Sequence, residues 1–275
     1  MEVLYGLHPV EEAVRSGARR LDCVLLARER GDARLDRLAQ LCRDSGLRVT
    51  LESRDQLTRL ARTDAHQGVL ALVRERAFLT IEDLLAPQPV TDNAARNSAE
   101  IRPAHRFFLA LDGIEDPHNL GALLRTADGA GVDGVILPER RSAPISATVA
   151  KTSAGASEHV RIARVTNLVR ALEQMKQANL WVLGLDQRGT PDYMDFDFRT
   201  DCVLVLGREG EGLHDLVKKT CDRLLRIPMA GAVSSLNVSV AGAVVMYEAM
   251  RQRSRPAQAT PKPTPPAKPR KGLGS

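Results

Sequence analysis

No run of about 18 apolar residues occurs in the 275-residue chain, so no transmembrane helix is expected. The opening MEVLYGLHPVEEAV has no basic stretch leading into an apolar one, which argues against a signal peptide. Cysteine is sparse. Cys23, Cys42, Cys202 and Cys221 are scattered, with no CxxC pair and no neighbouring histidine ligands. That spacing supports neither a disulfide framework nor a bound metal, and four reduced thiols in a cytoplasmic protein are expected. Lysine is missing from residues 1–76, which carry fourteen arginines instead. Guanidinium groups favour phosphate contacts, although a GC-rich coding sequence produces the same bias.

The net charge of +5 looks like a nucleic-acid signature but is unevenly placed. Seven of the 39 basic residues fall in 251–275 with no acidic residue, leaving 32 basic against 34 acidic in residues 1–250. Any RNA-binding surface on the folded body must therefore come from local clustering.

What is present is alternation. In residues 1–76, Leu21–Leu26 and Gly68–Val73 read as buried strands. Between them Ala33 to Ser45 sets Leu35, Leu38, Ala39 and Cys42 on one helical face, with Gly46 as the stop. Residues 77–105 lose this order. After a short apolar helix candidate at Thr80 to Ala86 comes PQPVTDNAARNSAEIRP, read as an interdomain linker. Residues 106–255 form a second domain, where the strand-like runs Phe107–Leu111, Gly134–Leu137, Leu180–Leu185 and Val203–Leu206 alternate with helical patterns. That order predicts an α/β domain with a largely parallel sheet. Residues 256–275, rich in proline and basic side chains, are expected to be a disordered tail.

Three loops in the second domain carry polar residues where chemistry would sit. In LDGIEDPHNLGALLRTADGAGVDGVIL (111–137), Asp116 stands at an N-cap and Pro117 at the first helical position. Leu120, Leu123, Leu124 and Ala127 form the buried stripe, and Arg125 projects roughly 140° away from it. Asn119 lies in the first turn, beside the end of a strand, where α/β sheets bind ligands. Alternatively, Asn119 only caps the helix and Arg125 is a solvated charge.

The second loop, DCVLVLGREGEGLHDL (201–216), runs an apolar strand into Gly207, Gly210 and Gly212, with a helix starting near Leu213. Glycines let the backbone approach a ligand closely. The spacing is neither GxGxxG nor a P-loop. Glu209 and Glu211 suit a cationic or hydroxyl-bearing ligand better than a phosphate. In the third, LLRIPMAGAVSSLNVSVAGAVVMYEAMRQR (224–253), a short strand ends at Ile227-Pro228. A small-residue loop then leads through Ser234, Ser235, Leu236 and Asn237 into a long helix from Ser239 to Arg253. Ser235 and Asn237 are also ordinary N-cap residues.

Together, in this order and each after a strand, segments 111–137, 207–213 and 227–239 resemble the three signature motifs of the SpoU (TrmH) class of SPOUT RNA methyltransferases. The opening YGLHPVEEAV, the HQG at 66–68 and RRSAPISATVAKTSAGASEHV at 140–160 resemble the bacterial members of that class that methylate a 23S rRNA guanosine. The resemblance implies a SPOUT-type α/β fold with a C-terminal trefoil knot, preceded by a ribosomal-protein-like RNA-binding unit at 1–76. It implies S-adenosylmethionine as cofactor, held largely by backbone at Gly207, Ile227 and Leu236. It implies a polar active site of Asn119, Arg125, Glu209, Ser235 and Asn237, and a homodimer using the C-terminal helix. The implied reaction is 2′-O-methylation of a guanosine ribose in the peptidyl-transferase region of 23S rRNA. A guanidinium is not deprotonated in proteins, so Arg125 is expected to grip an RNA phosphate and stabilise the developing alkoxide. The alternatives are the same chemistry on tRNA or another rRNA nucleotide, and a non-catalytic RNA-binding or assembly factor.

Overall fold

The computed structural model describes residues 2–17, 19–28, 32–74, 76–87 and 105–254. The expected tail at 256–275, and residues 88–104 of the expected linker, lie outside the described residues.

The N-terminal unit is a four-stranded sheet of β1 (Glu2–Tyr5), β2 (Leu21–Ala27), β3 (Val49–Glu52) and β4 (Val69–Val73), in the order β1-β4-β2-β3. β4 pairs antiparallel with both neighbours, whereas β2 and β3 are parallel. Helices α1 (Leu7–Ser16), α2 (Ala33–Asp44) and α3 (Arg54–Ala61) cover it. α2 follows its sequence pattern closely. Asp32 caps its start, Leu35, Leu38 and Cys42 are buried, and Gly46 adopts φ 69° just past its end, as a glycine there can without Cβ strain.

The second sheet has six strands, all parallel: β5 (Phe107–Leu111), β6 (Gly134–Pro138), β7 (Ile162–Val165), β8 (Trp181–Leu185), β9 (Cys202–Leu206) and β10 (Arg223–Leu225). Their order is β10-β8-β9-β5-β6-β7. One face packs on α5 (Pro117–Gly129) and α9 (Val238–Ser254), through Leu123, Leu124, Val245 and Met246. The other packs on α7 (Leu168–Gln177) and α8 (Asp215–Thr220), through Leu172, Met175 and Val217. Phe107, Leu109 and Leu111 serve the first face, Phe108 and Ala110 the second. Burial on both faces is why these strands read as unbroken apolar runs. The chain leaves central β5 towards β6 and β7, then crosses to the opposite side of the sheet for β8, β9 and β10. The reversal falls between β5 and β9, and such a switch point opens a crevice at the strands' carboxyl ends.

The start of the expected linker is not free chain. Leu79 bridges to Ala163 at the sheet edge, and a short helix, α4 (Ile81–Leu85), buries Ile81 and Leu84. Thr80 and Asp83 close a reciprocal capping box at its N-terminus. Leu84 lies so close to Gly134 that a Cβ there would sit 2.6 Å from its Cδ2. Residues 79–85 thus belong structurally to the second sheet, because two apolar side chains one turn apart find a groove beside β6 and β7.

The N-terminal unit docks on α6 (Ala147–Thr152) and the 3-10 turn Ala156–Glu158. Ala150 is buried in the N-terminal core, and Arg76 donates to the carbonyls of Ser157 and Val160. Arg19 Nε lies 3.0 Å from Glu158 Oε2, with side chains 4% and 0% exposed. The two atoms are angled away from hydrogen-bond geometry, so the contact is Coulombic.

Candidate active site

Asp116 opens α5 by accepting from the backbone N–H of His118 and Asn119, with Pro117 in the first turn. This cap fixes Asn119 at the carboxyl end of β5. Beyond β9, residues 208–212 form a tight turn closed by reciprocal bonds, Arg208 N–H to Gly212 O at 3.0 Å and Gly212 N–H to Arg208 O at 2.9 Å. Gly210 and Gly212 take φ 80° and 74°, values that exclude most side chains. Gly207 was expected to admit a ligand closely. Its first steric reason lies in the turn itself, since a Cβ would fall 2.2 Å from the Gly212 carbonyl carbon.

The turn presents Glu209 to Asn119 and Asn237. Asn119 Nδ2 donates to Glu209 Oε2 at 3.2 Å, and Asn237 Nδ2 donates to Glu209 Oε1 at 3.2 Å and to Asn119 Oδ1 at 3.0 Å. Asn237 also caps α9, its Oδ1 accepting from the Ser239 N–H at 2.9 Å and from its hydroxyl at 2.6 Å. One side chain therefore caps the helix and contacts Asn119 and Glu209, and the network assigns its amide orientation. Three residues far apart in sequence meet at the switch point with amides orienting one carboxylate.

Beside this triad lies a cavity of about 370 Å³ walled by the ends of β8 and β9, the 207–213 turn and the 227–238 loop. Gly207, Ile227, Ser235 and Leu236 line it, as does Glu209. Asp186, Arg188 and Lys218 contribute a polar wall that sequence reasoning missed. Lys218 Nζ is 2.7 Å from Asp186 Oδ2. Burial pushes the Asp186 carboxyl up, but the bonds from Lys218 and the Arg188 N–H outweigh it and hold it below the ordinary carboxylate value.

Arg125 is not part of this cluster. It stands exposed on α5, and no hydrogen bond or ion pair holds it among the described residues. Asn119 and Arg125 are six residues apart on one helix, about 9 Å along the axis and roughly 120° around it. The same chain's Arg125 therefore faces away from the triad.

A second polar group at the same sheet edge was not anticipated. Asp112, directly after β5, is 6% exposed and accepts from His214 twice, at the backbone N–H and at ring Nδ1, both at 2.8 Å. Arg208 and Arg141 approach the ring's other nitrogen at 2.9 and 3.2 Å. The available signal was positional, as Asp112, Arg208 and Arg141 all follow strand ends.

Comparison with known proteins finds relatives of both units. The SpoU rRNA Methylase family model matches residues 106–247, and the model for RNA 2'-O ribose methyltransferase substrate binding matches residues 3–79. The 23S rRNA (guanosine-2'-O-)-methyltransferase RlmB of Ralstonia nicotianae is 41% identical over 254 residues, covering 92% of this chain and 96% of its own. Its namesake from Escherichia coli is 38% identical over 258 residues, covering 92% and 99%. Among solved structures, an AdoMet-bound rRNA methyltransferase from Sinorhizobium meliloti superposes with a TM-score of 0.72 at 26% identity, over 91% of this chain and 87% of its own.

Proposed function

The chain belongs to the SpoU rRNA methylase family, and we propose that it 2′-O-methylates a guanosine ribose of 23S rRNA with S-adenosylmethionine as donor. The observation that carries this reading is the Asn119–Glu209–Asn237 triad beside a cavity lined by Gly207, Ile227 and Leu236. The cavity suits the cofactor. Its volume falls in the range of small-molecule sites, and its lining sets four carboxylates, Asp186, Glu209, Glu211 and Asp215, against three cations, Arg188, Arg208 and Lys218, a small surplus of negative charge that favours a ligand bearing positive charge. When bound, S-adenosylmethionine supplies an electrophilic methyl group on a sulfonium.

The protein's part is to bring a ribose hydroxyl in line with that methyl and to ease loss of its proton. Each Glu209 oxygen is already held by an amide, yet a carboxylate has lone pairs to spare and accepts a further bond from the 2′-hydroxyl. Asn119 retains an amide proton for the sugar or its phosphate, and Ser235 lines the adjoining wall. Arg125, always charged, stabilises the oxygen as it gains negative charge and holds the neighbouring phosphate.

Because Arg125 points away from its own triad, we assign it to the partner's site in a homodimer. α9 supports such a pairing. Its residues 238–247 are mostly apolar, yet only one face is buried, leaving Val240 and Tyr247 48% and 46% exposed. The C-terminal trefoil knot belongs to the same reading. So does a cytoplasmic location, where ribosomal RNA of the kind named for the relatives is made.

The test is methyl transfer from labelled S-adenosylmethionine to unmodified 23S rRNA, with the product mapped by 2′-O-methyl-sensitive sequencing. A single labelled guanosine supports the proposal. Label on tRNA alone moves the substrate, and absence of cofactor binding overturns the reading. Subunit mixing tests the dimer. Equal amounts of Arg125→Ala and Glu209→Gln protein, each nearly inactive, should regain about a quarter of wild-type activity on exchange, because half the dimers then hold one intact site. No recovery after verified exchange would place Arg125 in its own subunit's site.

A further inference from the structure

The second polar group at the switch point is built from three neighbouring strands. In the order β9-β5-β6, Arg208 follows β9, Asp112 follows β5, and Arg141 lies three residues beyond β6. The sheet therefore collects them at one edge although they are distant in sequence. His214 joins them. Asp112 takes two hydrogen bonds from it, one of them at ring Nδ1, so the network assigns the ring proton to Nδ1 and leaves Nε2 as an acceptor. Arg208 Nη2 and Arg141 Nη1 both donate to that single nitrogen, at 2.9 and 3.2 Å.

This is an unusual use of two guanidiniums. A neutral ring nitrogen has one lone pair and no charge to offer, so the two cations are brought together without being neutralised there. The arrangement is held in place from several directions. The stem of Arg208 lies across Gly113, where a Cβ would fall 2.6 Å from its Nε and 2.8 Å from its Cγ. Arg141 takes φ 58°, a left-handed conformation disfavoured for a side-chain-bearing residue. Its guanidinium has no carboxylate partner among the described residues. Among the described residues, the one carboxylate that reaches the pair from outside is Glu211, 2.7 Å from Arg208 Nη1 and 73% exposed, free to swing into solvent. The next residue after Arg208 in the turn is Glu209 of the triad.

From this geometry we infer that Arg141 and Arg208, braced by His214 and Asp112, form a binding subsite for an RNA backbone phosphate beside the methyl-transfer site. The inference rests on the proposed RNA-methylating function and adds to it a second anion contact, at the edge of the cofactor cavity, whose lining includes Arg208 and Glu211 but not Arg141 or His214. Paired guanidiniums match the planar, bidentate demands of a phosphodiester better than a lone ammonium would. Glu211 acts as a stand-in anion that the phosphate displaces. The subsite would fix the nucleotide neighbouring the target and so set the register of the ribose on Glu209.

The experiment measures binding of a fluorescein-labelled 23S rRNA fragment to the S-adenosylmethionine-loaded protein by anisotropy across a salt series. Arg141→Gln should weaken binding about tenfold and lower the slope of log affinity against log salt by roughly one phosphate contact. Arg141→Lys keeps the charge and should keep most of the slope. Arg170→Gln, on the exposed side of α7, serves as the control for general charge loss and should leave the slope unchanged. Turnover of Arg141→Gln at saturating RNA should fall far less than its affinity, and its cofactor binding should match wild type. Slopes identical between wild type and Arg141→Gln overturn the subsite while leaving the methylation reading intact. The subsite also falls if Arg170→Gln loses as much slope, or if cofactor affinity drops instead of RNA affinity. Failure of wild-type protein to bind or methylate any RNA overturns the functional reading and the subsite with it.

Discussion

Two polar clusters link distant parts of this chain, and they are built in opposite ways. Between the N-terminal unit and the second domain, Arg19 and Glu158 meet with 4% and 0% of their side chains exposed. At the switch point the charge of Glu209 stays open to solvent and is held by neutral amides from Asn119 and Asn237. The first cluster sets two full charges against each other where no substrate can reach. The second orients one charge without neutralising it, where a hydroxyl can approach. Burial with pairing suits docking, and exposure with orientation suits chemistry.

That contrast predicts a double dissociation, and the largest effect falls on chemistry. Glu209→Gln keeps the volume and some hydrogen bonding but loses the charge that accepts the ribose hydroxyl. Turnover should fall by about a hundredfold or more, the scale of a positioned acid–base or electrostatic group. The melting temperature should barely move, because the group is exposed. A stability loss matching the activity loss would mean that the triad is structural and the contrast is false.

Glu158→Ala should do the reverse. It strands the buried Arg19, whose remaining partner among the described residues is the 44%-exposed Glu2 at 2.8 Å, and should cost about 3 kcal/mol. Calorimetry should show the N-terminal unit melting earlier than the second domain, with cofactor binding by the latter preserved. The double change Arg19→Met with Glu158→Leu sharpens the point. Replacing both charges by apolar groups of similar size should recover most of the lost stability. If the double variant is as unstable as the single one, the pair is doing more than docking.

Much of this fold is legible in sequence for a specific reason. A parallel sheet covered on both faces produces apolar runs such as FFLAL and CVLVL, which alternate with helices and leave little ambiguity. The long helix expected from Ser239 to Arg253 is observed as Val238–Ser254. The short elements were harder. Nothing local says that Ile81 and Leu84 pack on the second sheet, because their groove is made by β6 and β7 far along the chain. The triad residues were found through motif resemblance, but their contacts span 90 and 118 positions and required the strand order. Arg125 shows the limit from the other side, since helix geometry placed it away from the apolar stripe but not which site it serves. Asp112, Arg141, Arg208 and His214 were missed altogether. Each is a single polar residue in a loop, and only the adjacency of β9, β5 and β6 turns them into a cluster.

The smallest predicted effect lies where stability and chemistry share one residue. Asp116 accepts from the N–H groups of His118 and Asn119, at 3.1 and 3.2 Å, so it both caps α5 and sets the backbone that carries the Asn119 amide. Asp116→Ala should cost about 1 kcal/mol, the usual value of a lost N-cap, and lower the melting temperature by a few degrees. Asp116→Asn, which keeps an acceptor oxygen, should recover nearly all of that loss. If the cap acts only on the helix, turnover of Asp116→Ala well below its melting temperature should equal wild type. If it also aims Asn119 at Glu209, turnover should fall several-fold and return in Asp116→Asn, with RNA affinity unchanged in both. The second outcome is expected, because the first turn of α5 has no other side chain bonding the Asn119 N–H. A turnover loss that Asp116→Asn fails to rescue would point instead to the lost charge, and would move Asp116 from the helix start into the electrostatics of the site.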